Sequence, residues 1–589
     1  MASVCGVLLL LFMMNEDAIA RNMGWEKPTL EKTEQKLENV DSSSEVTTIS
    51  NDTVNDPIKA TVTKVAAVAT EKVAKGPQEE TIEFGHADHE AIVAKLLPSQ
   101  GLYDITLGDY KQKNKKDSPA LSIGSADYAS LSLTGAAKNW QFGPAKIVSS
   151  VKAKEDSKRF QEIAVERTVK INGQSLILKQ SWKLKRDKKF QYFYKITFRN
   201  PNASAVSINK LRLNCGYMEP ISRAQGFFAK QASGMDQAID AYSTEGDIET
   251  KIFTSALSDI KENEKEQGLK PTEGELLLDE EEEKFQWISV KNQYFTTVVD
   301  FQNDSFEKCY YRYKQITFAN DEFKDGDDEE KRNITLDIAA AEGSIKDFTV
   351  SANSEKEFVF DCYSGPQAID NLKDLENKKK GIMQLSYFIF TKISWVGWIS
   401  EGILSILLFL HGYIATVSFL GSIGAYGVAI VILTIFIKLL FWPLTNYSNK
   451  SMKKMSSLNP VMKEIREKHK DDPQLVQQKI MALYKENGVN PMAGCLPMLL
   501  QMPVFIALFN TLRGAIELRH SSFLWAADLS QPDTLGGIYE ATGIPINPLA
   551  ILWAGSMLLN QKLMPNTTTD PMQRKMMLMM PVAMLFFCY

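Results

Sequence analysis

The 589-residue chain has little of what metal and redox chemistry needs. Its six cysteines (Cys5, Cys215, Cys309, Cys362, Cys495 and Cys588) are scattered without a single CxxC pair, which argues against a zinc or dithiol site. Three of them, Cys215, Cys309 and Cys362, fall in a polar region that reads as an exported domain, where one disulfide is possible and one cysteine is left over. Of the five histidines, only His86 and His89 stand at a spacing a metal could use, and a solvated pair in a loop is the simpler reading. No GxxxxGK[ST] loop offers a phosphate cradle, so no nucleotide and no other cofactor is expected. No histidine lies in the runs that read as crossing a membrane, so Ser556 has no base there, which argues against an intramembrane nucleophilic enzyme.

Charge is missing where it matters most. Asn490 to Leu508, NPMAGCLPMLLQMPVFIAL, has no charged residue and yet holds three prolines, Pro491, Pro497 and Pro503. Proline in a helix interior costs about 3 kcal/mol in water, so a soluble core rarely keeps two in one apolar segment. Inside a membrane, neighbouring helices and polar side chains re-satisfy the freed carbonyls, and Gln501 then reads as a group facing protein or water. Ala425 to Leu444, Cys495 to Leu512 and Pro548 to Leu563 are each long enough to span about 30 Å of hydrocarbon. Met576 to Tyr589 is a fourth run, shorter than the roughly 17 residues a span requires, so the sequence reads as truncated within it.

Basic residues orient these spans. The loop Asn446 to Val489 carries nine Lys and Arg against five Asp and Glu, a net +4. Ala515 to Ile546 has one basic residue, Arg519, against four acidic, and the segment after Leu563 is basic again through Arg574 and Lys575. By the positive-inside rule the first and third loops are cytoplasmic and everything before Ala425 is outside. Val4 to Met14, with Ala-Ile-Ala at Ala18 to Ala20 after it, reads as a signal or short anchor that carries the downstream residues outward.

The expected organisation is then a signal or anchor over residues 1–20, a disordered tether over 21–80, an exported all-β domain over 81–365, connecting and interfacial helices over 366–424, and a helical membrane core over 425–589. Alternating runs such as EIAVERTVKI and SLILKQSWKL argue antiparallel strands, and their number argues a large β-sandwich. The acidic run Asp279 to Glu283 reads as a solvated loop. Trp398 to Phe419 reads as a helix lying in the outer interface, since one more crossing would reverse the charge rule. Within 446–489, the stripe Met452, Met455, Leu458, Met462, Ile465 and the stripe Val476, Ile480, Leu483 predict a helical hairpin, with Asp471-Asp472-Pro473 starting its second arm. Its methionine-rich faces either pack on each other or dock a partner. Lys438 either snorkels to the cytoplasmic headgroups, about 10 Å away at helical rise, or faces a wet cavity with Thr434 one turn earlier.

At these residues the chain resembles a known family. TIFIKLLFWPLT (Thr434 to Thr445), NPMAGCLPMLLQMPVF (Asn490 to Phe505), AIELRHSSFLWAADLS (Ala515 to Ser530) and NQKLMPNTTTDPMQRKMMLMMP (Asn560 to Pro581) are similar, in the same order, to the YidC/Oxa/Albino membrane protein insertases. FQWISVKNQYF (Phe285 to Phe295) and GPQ (Gly365 to Gln367) resemble more loosely the large periplasmic domain of the Gram-negative branch. The resemblance implies an α-helical polytopic insertase core and a large periplasmic β-sandwich, in the bacterial inner membrane. It implies a chaperone that receives hydrophobic segments in a polar groove and releases them into lipid, alone or beside the Sec translocon. Lys438 takes the place of the family's positive groove residue, more often arginine. Thr434, Gln501 and Gln561 match polar groove positions, and Met502 and Phe505 match its apolar edge. Lysine keeps the charge but lacks the planar fork for bidentate carboxylate pairing. Implied partners are nascent membrane proteins, the Sec translocon, a ribosome or signal-recognition component at the hairpin, and lipids. Recognition of a nucleic-acid sequence is not implied. A final span is expected after Tyr589. The family's periplasmic domain also resembles carbohydrate-active sandwiches in fold, which leaves sugar binding as a second reading on analogy alone.

Overall fold

A computed structural model describes residues 81–86, 91–97, 101–111, 120–123, 129–153, 159–185, 187–218, 237–244, 248–252, 273–277, 284–319, 333–373, 375, 394–470, 472–489, 496–533, 535, 546–563, 579 and 581. The readings made for residues 1–80, His89, Asp279 to Glu283 and most of 564–589 lie outside these. The described residues up to Pro548 form one compact unit, and those from Leu549 belong to a second.

Strands form where the alternation predicts them. Gln174–Leu184 buries Leu176, Leu178, Gln180, Trp182 and Leu184 on one face while its other face stays at least partly open, the period-2 signature of a half-covered strand. It pairs antiparallel with Arg159–Ile171 and Gln191–Arg199. Gln191–Arg199 continues onto Glu355–Pro366, so Tyr194 is flanked by Trp182 and Phe360, with ring centroids 5.3 and 5.8 Å away. The Tyr194 hydroxyl accepts from Gln180 Nε2 (2.6 Å) and donates to the Leu131 carbonyl (3.1 Å), while Arg167 holds the Gln180 carbonyl at 3.0 Å. This chain satisfies polar groups that burial would otherwise penalise.

Two features make the expectation more specific. Among the described residues, nineteen strands connect into one hydrogen-bonded sheet, with a two-stranded ribbon of Val206–Ile208 and Phe348–Val350 beside it. Register shifts in Leu211–Met218, at Gly216, and in Phe306–Ala319 bend these strands locally. The second concerns thiols: none of Cys215, Cys309 and Cys362 forms a disulfide, and all three are buried. Nor is His86 solvated, since it is 7% exposed. Among the described residues no group of three His, Cys, Asp or Glu could hold a metal.

The helices are α1 (Ser394–Ala415), α2 (Ser418–Ser457), α3 (Asn459–Lys468), α4 (Pro473–Glu486), α5 (Leu496–Gly514) and α6 (Pro548–Leu563). Among the described residues, Val396–Ala415 and Gly421–Ser457 are long and apolar enough to cross a membrane. On α1 the buried stripe is Val396, Ser400, Ile403, Leu404, Leu407 and Ile414, at helical spacing, and Trp398, Phe409 and Tyr413 are exposed. α2 kinks at Gly424, whose φ is 120°, and runs through Pro443 well past the expected end at Leu444. The first arm of the hairpin is therefore divided at Leu458 between α2 and α3. Asp472 caps α4 as expected, its carboxylate accepting from Leu475 N at 3.0 Å. Met462 is buried and receives the Tyr484 hydroxyl at 3.0 Å, so this methionine serves contact between the two arms. α5 is continuous through Pro503 rather than broken by it, and Asn490 to Cys495 lie outside the described residues.

Candidate functional site

The polar residues singled out on α2 and α5 fall on faces that other helices leave open. On α2, Ala429 and Leu433 are buried, and Tyr426, Ile430 and Ile437 pack against the same core, so one stripe meets α1 and α5. Lys438 lies off that stripe and is exposed, and Thr434 shares its face one turn earlier. The Thr434 hydroxyl returns to the Val431 carbonyl at 2.8 Å, satisfying itself within the helix. On α5 the buried side is Ala507, Asn510 and Thr511. Gln501, Met502 and Phe505, related by three and four residues, run along a different face, Gln501 and Phe505 exposed and Met502 half-buried. The candidates thus lie as two open stripes on two helices that pack against each other elsewhere along their faces. Gln561 lies on α6, on one face with Trp553 and Met557, in the second unit.

Polar contacts within the apolar helices fix this frame. Ser400 Oγ on α1 donates to the Ala507 carbonyl at 3.2 Å, and Thr511 Oγ1 lies 3.1 Å from the Ser400 carbonyl and 2.8 Å from that of Ala507. Such reciprocal bonds join helices where apolar burial gives no preference for one neighbour over another. Near the start of α2, Gly424 and Gly427 let the loop after α5 approach this helix. A Cβ at Gly424 would strike the Ser522 carbonyl, and one at Gly427 would strike the Phe523 ring. Gly427→Ala should therefore push Phe523 out and cost about 1–3 kcal/mol of overpacking. Unfolding in detergent should show the loss, and adding Phe523→Ala should recover part of it; an unchanged transition for Gly427→Ala would refute the tight fit.

That loop is the block Ala515 to Ser530. One oxygen of the buried Asp528 accepts from His520 N (3.0 Å), Ser530 N (2.9 Å) and Ser530 Oγ (2.7 Å), closing the loop on itself. Burial pushes the neighbouring Glu517 carboxyl above its ordinary range. The two motifs of the β domain also meet here. Gln367, from GPQ, donates to the carbonyls of Asn292 (2.6 Å) and Phe295 (3.1 Å), bracing the turn in which Asn292 Oδ1 receives the amides of Tyr294 and Phe295. From that turn Gln293 donates to the Arg513 carbonyl, in the last turn of α5, at 2.8 Å, and the Arg519 guanidinium sits over the Phe295 ring at 5.7 Å. Sequence reasoning found the motifs but not this junction, because its partners lie 220 residues apart.

These features define a chain with a large β domain followed by apolar helices, two of them long and apolar enough to cross a membrane, with polar residues on otherwise apolar helix faces. Through residues 418–589 the chain matches the family described as 60Kd inner membrane protein. It is 41% identical over 241 residues to the membrane protein insertase YidC of Pelobacter propionicus, covering 40% of this chain and 41% of that one. It is 47% identical over 194 residues to that of Syntrophus aciditrophicus (33% and 32%) and 34% identical over 316 residues to that of Chlorobaculum tepidum (52% and 48%). The chain thus spans about a third to a half of the length of these relatives. Among solved structures, the Slr1438 protein of Synechocystis sp. PCC 6803 is similar at 9% identity over 49% of this chain and 96% of that one, with a TM-score of 0.28, a likeness too slight to bear on function.

Proposed function

We propose that this chain is an insertase and chaperone, not an enzyme, in the bacterial inner membrane. It receives hydrophobic segments in a groove lined by Lys438, Thr434 and Gln501 and edged by Met502 and Phe505, and releases them sideways into lipid. The observation that carries the reading is Lys438, an ammonium on the open face of an apolar helix, beside a packed neighbour presenting Gln501 on its own open face. A polar stretch crossing hydrocarbon meets several kcal/mol per unsatisfied group, and a wet groove partway across shortens that barrier. Release of an apolar helix into lipid is downhill, so no fuel is needed.

In this reading the β domain is periplasmic, α1 lies in the outer interface, and the hairpin from Ser451 to Glu486 is cytoplasmic. Its basic surface suits a ribosome or signal-recognition component, and the Sec translocon is a second partner. Depleting a bacterium of its own insertase and supplying this chain should restore insertion of small membrane proteins, scored by protease protection. The same chain without Ser451 to Glu486 should restore much less. Failure of the stably expressed, membrane-integrated chain to restore any insertion would sink the reading.

A further inference from the structure

The tip of the outer loop is built as a two-residue turn. Phe523 N donates to the Ala526 carbonyl (2.8 Å) and Ala526 N to the Phe523 carbonyl (2.9 Å), leaving Leu524 and Trp525 at the apex. Leu524 has a φ of 53°, at the first central position of the turn, where glycine is the relaxed choice. A leucine held in the left-handed region and 60% exposed has neither backbone preference nor burial to account for it. Trp525 beside it is 44% exposed. The turn does not wander: Phe523 sits against Gly427, and Leu524 N donates to the Ile423 carbonyl of α2 at 3.2 Å. One turn before Ile423, Phe419 is 73% exposed, and Val417 and Tyr413 continue the same apolar belt at the α1–α2 junction.

We propose that Leu524 and Trp525 dip into the outer lipid surface, at the boundary of headgroups and acyl chains, and pin the outer end of α2 there. The chemistry selects lipid over a protein partner. The Trp525 indole N–H already donates to Asp533 Oδ2 at 3.0 Å, so its polar edge is answered within the chain and only apolar ring and leucine face outward. Acyl chains offer no hydrogen bonds and ask for none, and an indole with a satisfied N–H on its wet side is the side chain that favours this boundary. Continuity with the exposed apolar belt from Tyr413 to Phe419 places the tip at the same level. The inference rests on α2 being a membrane span.

The test is the full chain reconstituted in phospholipid bilayers, with a nitroxide on Leu524→Cys, Trp525→Cys, Gln531→Cys or, within α2, Ile435→Cys. The signal of the unsubstituted chain is subtracted. Relaxation by oxygen should exceed relaxation by a water-soluble nickel chelate at 524, 525 and 435, and the order should reverse at 531. Nickel access at 524 with 435 in lipid would overturn the proposal while leaving the span intact; nickel access at 435 would overturn both. A label at 524 shielded from both reagents would mean that protein covers the tip, and would overturn it too. Leu524→Gly supplies an independent readout. It relaxes the turn, so the fold should persist, while quenching of Trp525 by brominated lipid, read as the difference from Trp525→Phe, should fall. Undiminished quenching in Leu524→Gly would count against leucine as the anchor.

Discussion

Asp240→Ala should lower the stability of the β domain by about 3–5 kcal/mol, because it removes the carboxylate facing a buried ammonium. Lys291 Nζ lies 2.5 Å from Asp240 Oδ2, with side chains 2% and 0% exposed. The two come from neighbouring strands, Ala238–Ser243 and Phe285–Lys291, in which Asp240 is opposite Ser289, whose hydroxyl also reaches the carboxylate at 3.3 Å. Burial already lowers the Lys291 pKa below its ordinary value, and Asp240 acts against that shift. Without Asp240 the lysine should fold as the neutral amine. Its folded pKa then lies further below the unfolded one, so the unfolded state binds more protons and stability rises with pH between the two values. The deficit of Asp240→Ala should therefore be largest near pH 7 and shrink as pH approaches 10. Replacing both partners together, Asp240→Leu with Lys291→Met, should restore much of the loss, since an apolar pair carries no desolvation cost. Thermal unfolding of the detergent-solubilised chain, tracked by near-ultraviolet circular dichroism at pH 7 and 9.5, measures each arm. A single-variant loss below about 1 kcal/mol, the scale of an exposed pair, would show that the pair is not desolvated as its burial indicates.

How much was legible in the sequence depends on the range of the forces involved. Alternation is local, and it found Gln174–Leu184 and Gln191–Arg199 because each has one covered and one open face. Phe295–Phe301, buried at all seven positions, carries no such signal, and its place in the middle of the sheet depends on what covers both faces. α2 overran its expected end because Pro443 did not stop the helix and nothing from Asn446 to Ser457 breaks it. The Asp472 cap was readable, being complete within four residues. Of the candidate groove, the residue types and their spacing along each helix were readable, whereas the bonds that hold α1 to α5 join Ser400 to Thr511 across 111 residues. Likewise, the motif Ala515 to Ser530 was recognisable as a pattern, but its reason, a carboxylate gathering three donors and a phenylalanine fitted to two glycines, exists only in three dimensions.

Lys438→Ala should slow insertion of clients with acidic translocated tails several-fold and leave neutral ones near normal, and Lys438→Glu should widen the gap to roughly 30-fold. The argument is electrostatic. Two unit charges about 8 Å apart at an effective dielectric near 40 attract by about 1 kcal/mol, worth roughly fivefold in rate if felt only on the way through. Alanine removes that attraction and glutamate reverses it, doubling the difference to about 2 kcal/mol. Lys438→Arg should behave as the parent, because the groove reading asks for a positive field and not for a particular fork of donors. The competing reading, a side chain snorkelling to the headgroups, makes Lys438 one anchor among Lys450, Lys453 and Lys454, all exposed on the same helix, and predicts that alanine is tolerated whatever the client. Raising the salt concentration separates these further, since a field acting across a wet groove is screened over roughly 10 Å at 0.1 M whereas apolar docking against Met502 and Phe505 is not. Insertion rates of paired clients that differ only in tail charge, measured with reconstituted variants at two ionic strengths, decide between the readings. Equal rates for acidic and neutral tails in a stably folded Lys438→Ala chain would return the lysine to the headgroups.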